Sequence, residues 1–304
     1  MRKYYTRPCN FHYGNYSKHL IKKRKALPLA GNNNISFDQI EVFERKKSGS
    51  ARSIIYKLVE LKKLNKNIKF IINSDIKKIT SNRKNICGMK FNKPHIMGVL
   101  NVTPDSFSDG GLFLQKTKAL KQMSLMLNGG SSIIDIGGES TRPGSKTVIG
   151  FKEWNRVKEI IKQAKKKFPN IILSLDTRKS LVMEKGIGQG INIINDVSGF
   201  TYDKKSFDII KKKNIPFVLH HMQGTPNTMQ INPKYDDALL DIYDFFEKKI
   251  NFFKKNKINT NSIILDPGIG FGKNLNHNLR IMSKISIYHS LGCPLLIGTS
   301  RKRF

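Results

Sequence analysis

The sequence predicts an α/β fold, a (β/α)8 TIM barrel preceded by a small α/β segment, and three observations predict it. Short runs of branched aliphatics repeat between residues 97 and 302: SIIDI (132–136), IILSL (171–175), INII (191–194), PFVL (216–219), SIIL (262–265) and PLLI (294–297). Runs this short and continuous read as strands buried on both faces. Between them, apolar residues recur every three or four positions, as in Ala119, Leu120, Met123, Met126 and Leu127, in Trp154, Val157, Ile160, Ile161 and Ala164, and in Leu239, Tyr243, Phe246, Ile250 and Phe253. Each such helix buries one stripe. Polar residues fall just past the successive runs, namely Asn101, Asp135, Asp176, Asn195, His221, Asp266 and Lys302. Side chains gathered at the carboxyl ends of parallel strands build a barrel's active site. A doubly wound open sheet is the alternative architecture.

Taken in order, residues 1–91 form a basic extension. MRKYYTRPCNFHYGNY (1–16) is basic and aromatic without an apolar stretch, and LPLAGN (27–32) is a turn-rich loop in which Gly31 serves a positive φ. SFDQIEVF (36–43) has strand composition, IIYKLVELKKL (54–64) has helical spacing, and KFIIN (69–73) reads as a strand. The barrel is expected over 92–304, its first strand opening within KFNKPHIMGVLNVTP. Counting from 96 gives seven strands before the chain stops at SRKRF (300–304), so the barrel is expected to lack its last strand and helices here.

The net charge is +33, and residues 1–90 hold 22 Lys or Arg against 5 Asp or Glu. Such a balance suits nucleic acid, an anionic membrane or a phosphorylated substrate. Lys, Asn and Ile abound throughout, so a solvated surface explains it equally well. Cys9, Cys87 and Cys293 lie too far apart for a disulfide framework or a zinc site. No run approaches the roughly twenty apolar residues that span a bilayer, and a soluble cytoplasmic protein is expected.

The chemistry lies in the loops. MGVLNVTPDSFSDGG (97–111) breaks from a strand into a polar, glycine-ended loop suited to closing over a ligand, and Asn101 at the strand end can ligate a hard cation or hold a phosphate oxygen. DIGGESTRPG (135–144) offers Glu139, Thr141 and Arg142 ahead of a rigid Pro143-Gly144 turn. LDTRK (175–179) and INDVSG (194–199) set Asp176 and Asn195 at adjacent strand ends, where an acid and an amide can read the edge of a flat heterocycle. The competing role for Asp176 is a helix N-cap. In LHHMQGTPNTMQ (219–230), His220 and His221 point to opposite faces and cannot share a metal from a strand. LDPGIGFGK (265–273) carries Asp266 into a glycine-rich turn read as a phosphate contact, and IGTSRKRF (297–304) ends in basic residues where barrels often hold phosphate.

These segments, in this order over 92–304, closely resemble dihydropteroate synthase, the pterin-binding barrel of folate biosynthesis; residues 1–91 look like the extension some bacterial members carry. The resemblance implies a transferase in which p-aminobenzoate displaces diphosphate from 6-hydroxymethyl-7,8-dihydropterin diphosphate with Mg2+ assisting, and it implies a sulfonamide target and a homodimer. By motif position, Asn101 would contact Mg2+ and diphosphate, and Asp176, Asn195, Asp266 and Lys302 would bind the pterin. Phe107, Thr141, Arg142, Pro143, Phe271 and Arg303 would form the p-aminobenzoate pocket, with Asp105 and Asp109 in the first loop. Asp176, Asp109 and Lys302 are the candidate catalytic groups. The family usually has Met where this chain has His220, and its basic R-x-H element after strand eight lies past residue 304. A pterin-binding methyltransferase would share the barrel but has no use for the STRPG and SRK elements. A nucleic-acid-binding protein with a vestigial barrel would show steeply salt-dependent binding, and the intact loop chemistry argues against it.

Overall fold

A computed structural model describes residues 2–103, 112–140, 147–225, 228–300 and 302, with the side chains of 112–115 left aside. The C-terminal part alternates strand and helix: β5 (Ile96–Asn101), α3 (Leu112–Asn128), β6 (Ser131–Gly137), α4 (Gly150–Lys167), β7 (Ile172–Asp176), α5 (Ser180–Gly188), β8 (Ile193–Asp196), α6 (Lys204–Lys213), β9 (Phe217–His220), α7 (Ala238–Lys255), β10 (Ile263–Asp266) and α8 (Leu275–Ser283). The strands form one parallel sheet in the order β10-β9-β8-β7-β6-β5. The seventh expected run adds to its edge: Leu295 bridges Leu265, the Leu265 amide donates to Pro294 O at 2.9 Å, and the Leu296 amide donates to Leu265 O at 2.8 Å. Among the described residues no hydrogen bonds close this arc onto β5, whose Ile96 and Val99 are more than half exposed. Helix stripes such as Trp154, Val157 and Ile161, or Tyr243, Phe246 and Phe253, pack on the outer face of the sheet in one core, as their spacing requires. No helix among the described residues is long and apolar enough to cross a membrane.

The interior face is layered. Paired residues share a face, and side chains alternate along each strand. At the amino ends, Ile133, Ile193, Val218 and Ile264 form an apolar floor with Met97, Ile172 and Leu296 against it. A small hairpin, Ile86 bridged to Met89, seals that floor from below. Two residues further along each strand the same face carries Asp135, Ser174, Asn195, His220 and Asp266, so polarity begins one level above the floor.

Residues 2–80 build an antiparallel sheet, β1 (Tyr4–Tyr13), β2 (Leu27–Leu29), β3 (Asn32–Arg45) and β4 (Ala51–Lys57), with α1 (Gly14–Lys22) and α2 (Lys66–Thr80). The strand expected at 36–43 lies within β3, and Gly31 has φ +72° as expected. Three expectations are corrected. Of the loop expected at 27–32, Leu27–Leu29 is strand β2, paired antiparallel with β3. IIYK is strand, paired in register with β3 (Ile54 opposite Val42), and only Leu58–Lys63 is helical, as a 3-10 turn. KFIIN lies inside α2, capped by Asn65 accepting from the Ile68 amide at 3.0 Å; Ile68, Ile72, Ile76 and Ile79 make its stripe, a period that five residues cannot reveal.

This unit is bolted to the barrel by buried polar groups. Arg2 reaches Asp75 at 2.5 Å, Tyr243 Oη at 2.8 Å and Glu247 at 2.8 Å, while Thr6 donates to Asp75 at 2.7 Å. Glu41 accepts from Arg7 at 2.6 Å and from Lys284 at 2.5 Å. Tyr5 donates to Asp244 at 2.9 Å and meets the Tyr243 ring edge-on at 5.1 Å. Because Ile86 is 2% exposed, Ile86→Ala is expected to lower stability by about 2–5 kcal/mol through a cavity under the floor, read as a lowered urea midpoint with unchanged m-value.

Candidate active site

Strand register alone assembles the first half of the site. Asn101 pairs with Gly137, Gly137 with Asp176, and Asp176 with Asn195, so four strands contribute to one rung at their carboxyl ends. A Cβ at Gly137 would stand 3.4 Å from both Asn101 Oδ1 and Asp176 Oδ2, so the glycine leaves room between an amide and an acid. Asp176 is not an N-cap: α5 begins four residues later, after Lys179. Asn195 Nδ2 donates to Asp135 below the rung at 2.9 Å, while among the described residues Asp135 Oδ1 and Asn195 Oδ1 are buried without a hydrogen-bond partner. Acceptors left empty at a strand end suit a ligand rich in N–H groups.

The electrostatics agree. Burial, then the charges of Asp135, Glu153, Asp196 and Glu139, push the Asp176 carboxyl well above the carboxylate range, and burial raises Asp135 too. Among the described residues neither acid has a cationic partner, which is the condition a positively polarised ring relieves.

The second half comes from β9, β10 and the segments after them. Asp266, level with His220, accepts from the Gly268 amide at 2.8 Å. Lys302 Nζ sits 4.1 Å from the centre of the Phe271 ring, whose other neighbour is the His220 ring, edge-on at 4.7 Å. Burial lowers the Lys302 pKa while Asp266 works to raise it. His220 faces inward with Nδ1 3.0 Å from Val197 O, and burial lowers its pKa. His221 points outward against Phe245 and Tyr235, so the two histidines do part to opposite faces. Lys273, 3% exposed, donates to Phe271 O at 2.8 Å and to His221 Nδ1 at 3.1 Å.

The phosphate reading of the glycine turn is corrected. The Gly268 amide is spent on Asp266, the Gly270 amide on Asn278 at 2.9 Å and the Phe271 amide on Gly268 O at 3.0 Å. The glycines permit close packing instead: a Cβ at Gly268 (φ +66°) would lie 2.0 Å from His221 O, and one at Gly272 (φ +63°) 2.6 Å from Gln223 O.

Of the expected site residues, Asn101, Asp176 and Asn195 share the rung and Asp266, Phe271 and Lys302 share the opposite wall. Asp105, Phe107, Asp109, Thr141, Arg142, Pro143 and Arg303 lie outside the described residues. Sequence reasoning missed a buried ion cluster beside the rung. Lys179 donates to Glu139 at 2.6 Å and Glu153 at 2.5 Å, Arg178 reaches Glu139 at 3.2 Å, and Glu139 also accepts from the Val148 amide at 2.9 Å. Burial works to raise the Glu139 pKa, but Lys179, the Val148 amide and Arg178 hold it low. The only signal was Glu153 on the apolar stripe of its helix. A cavity of about 600 Å3 between Pro233–Asp236 and His277 lies outside the mouth and contains none of these residues.

The sequence profile described as pterin binding enzyme matches residues 97–304. The chain is 41% identical over 209 residues to the dihydropteroate synthase of Escherichia coli K12, covering 69% of this chain and 73% of that protein. It is 43% identical over 210 residues to the Clostridium beijerinckii dihydropteroate synthase, covering 69% and 75%. Among solved structures, the Yersinia pestis dihydropteroate synthase with a sulfonamide drug aligns with TM-score 0.66 at 40% identity over 72% of this chain and 80% of that one. The Xanthomonas albilineans enzyme in complex with 7,8-dihydropteroate aligns with TM-score 0.62 at 31% identity over 71% and 76%.

Burial pushes the Lys273 ammonium down to about 7. The folded chain then holds fewer protons than the unfolded chain from about pH 7 up to the ordinary lysine range, so stability rises with pH across that window. Urea unfolding at several pH values should show this slope in the wild type and a flatter one in Lys273→Met.

Proposed function

We infer that this chain, which belongs to the dihydropteroate synthase family of pterin-binding enzymes, is a transferase of folate biosynthesis that joins p-aminobenzoate to 6-hydroxymethyl-7,8-dihydropterin diphosphate, releasing diphosphate and 7,8-dihydropteroate. The observation that carries the site assignment is the rung of Asn101, Gly137, Asp176 and Asn195, with Asp135 beneath it, facing Asp266 and Lys302.

In this reading Asp176, Asn195 and Asp266 receive the N–H edge of the pterin, whose donors fill the empty acceptors. The Lys302 ammonium lies along the opposite wall over Phe271. The departing group is a diphosphate on a methylene attached to an electron-rich ring, so bond breaking can run ahead of attack. Asp176 then stabilises the positive charge that develops on the ring, and Lys302 stabilises the departing negative charge. The amine of p-aminobenzoate is a neutral nucleophile, so no strong base is required, and the flat face of Phe271 suits its ring. Phe107, Asp109, Thr141, Arg142, Pro143 and Arg303 complete the pocket by motif position.

Mg2+ fits at Asn101. Among the described residues no group of three or more His, Cys, Asp or Glu could hold a metal on its own, while Asn101 presents an exposed amide at the mouth. A hard cation that keeps waters and takes most ligands from substrate phosphates needs one such protein oxygen. When bound, Mg2+ supplies charge neutralisation of the leaving diphosphate.

We place the protein in the cytoplasm, read residues 92–304 as the catalytic barrel and 1–91 as an extension, and expect a homodimer. Residues 2–45 engage Asp241, Tyr243, Asp244 and Glu247 of α7. Asp176→Asn is expected to lower kcat by about 10²–10³ with the KM for p-aminobenzoate little changed, measured by steady-state release of diphosphate. An unchanged kcat would remove the electrostatic role. Sulfonamides should inhibit competitively against p-aminobenzoate; non-competitive inhibition would move the aniline away from Phe271.

A further inference from the structure

We propose that Arg45, in the N-terminal unit, is a positioning residue for the p-aminobenzoate wall, acting through Asp241 and the segment 233–237 on the backbone that carries Phe271. The inference rests on the assignment of Phe271 to that pocket, and it gives the extension a role in catalysis.

The Arg45 guanidinium is 4% exposed. It donates to Asp241 Oδ1 at 2.7 Å and to Tyr5 Oη at 3.1 Å, and lies 3.4 Å from Asp244 Oδ2. The other oxygen of Asp241 accepts from the backbone amides of Asp236 at 2.9 Å and Asp237 at 3.3 Å. One carboxylate therefore joins the extension to the turn that starts α7.

Two more contacts from the extension converge on that turn. A Cβ at Gly49, in the β3–β4 hairpin, would lie 2.7 Å from Asp236 Cγ, so the hairpin rests on Asp236. Phe43 lies 5.6 Å beneath the Arg280 guanidinium, which in turn reaches Asp237 at 2.9 Å.

From the turn, contacts run to the site. Tyr235 donates to Gly272 O at 2.8 Å, and Gln230 donates to Gly270 O at 2.8 Å. Gln223 and Lys234 close the segment on itself, Nε2 donating to Lys234 O at 2.7 Å and Oε1 accepting from its amide at 2.8 Å. Gly270 and Gly272 flank Phe271, so the carbonyls on both sides of that ring are held from this segment. The ring then meets His220 and Lys302 at the distances that define the wall. The links from Arg45 to Asp241, from the Asp237 amide to Asp241 and from Tyr235 to Gly272 are part-buried hydrogen bonds, where geometry is transmitted with little slack, while those of Asp236, Gln223 and Gln230 are exposed.

The test uses the full-length gene product with Arg45→Met, Arg45→Lys, Tyr235→Phe, which deletes only the hydroxyl on Gly272, and the Met/Phe double variant. Expected are a rise of about tenfold in the KM for p-aminobenzoate with kcat within about twofold for Arg45→Met, partial rescue by Arg45→Lys, and a double variant no worse than the poorer single, because two changes along one chain of contacts are not additive. An Arg45→Met protein that melts cooperatively and keeps its KM overturns the proposal, as does a fully additive double variant. Hydrogen exchange of the 270–273 amides supplies a readout independent of turnover. Faster exchange there in Arg45→Met, with α4 unchanged, supports the proposal; identical exchange overturns it. A wild type that makes no dihydropteroate but shows the exchange difference would sink the functional reading and leave the positioning role standing. Should Arg45→Met fail to fold, Arg45→Lys and Asp241→Asn carry the same measurements.

Discussion

Each strand of the barrel sheet sends alternate side chains into one narrow interior, and everything functional follows from which level of that interior is allowed to be polar. The lowest level is filled with Ile133, Ile193, Val218 and Ile264 and sealed by Ile86 and Met89. Two residues later the same strands present Asp135, Asn195, His220 and Asp266, with Asp176 paired beside Asn195 and Asn101 joined to that rung through Gly137. A shift of one residue in any strand would bury a carboxylate against the helices and aim an aliphatic at the mouth. Apolar packing at the floor therefore fixes the height at which charge can sit.

That height has an electrostatic consequence. A chain of net charge +33 keeps its cations mostly on the surface, while acids collect inside. Glu139 and Glu153 are answered by Lys179 and Arg178, but among the described residues Asp135 and Asp176 are answered by nothing cationic and are pushed towards the protonated state. On the opposite wall the cation is Lys302, over the Phe271 ring, with Asp266 working to raise its pKa. The mouth thus carries carboxyl groups at β6–β7 and a lysine beyond β10. A substrate with an N–H-rich ring at one end and a diphosphate at the other matches that polarity, and aligning it costs little reorganisation.

The barrel was legible because its strands are short, buried on both faces and punctuated by polar residues, a pattern that survives in one dimension. Asp176 and Asn195 were visible for the same reason: strand-end position is a sequence property. What the sequence hid is contact between distant segments. Glu139 reads in the sequence as a loop carboxylate, yet it is the centre of an ion cluster completed by Arg178 and Lys179, 39 and 40 positions away. The glycines of 268–272 looked like a phosphate cradle, and the space their missing side chains leave is filled by the backbone of His221 and Gln223. In the extension, five residues at 69–73 are too few to separate periods of 2 and 3.6, and the run 54–64 spans the end of β4 and the 3-10 turn after it, so a single period does not describe it.

The Ile86–Met89 hairpin belongs to neither half by composition. It lies in the connector upstream of the barrel's first strand, yet its side chains complete the hydrophobic base on which the polar levels rest. A graft of this barrel that begins at residue 92 would leave water access to the underside of Asp135 and Asn195, two groups whose empty acceptors depend on being dry. Recombination or chimera construction must therefore cut before residue 86. By then the splice also falls among residues such as Arg83, whose side chain donates to His289 O at 3.0 Å. The extension and barrel share a base, and in heredity as in engineering they are expected to travel together.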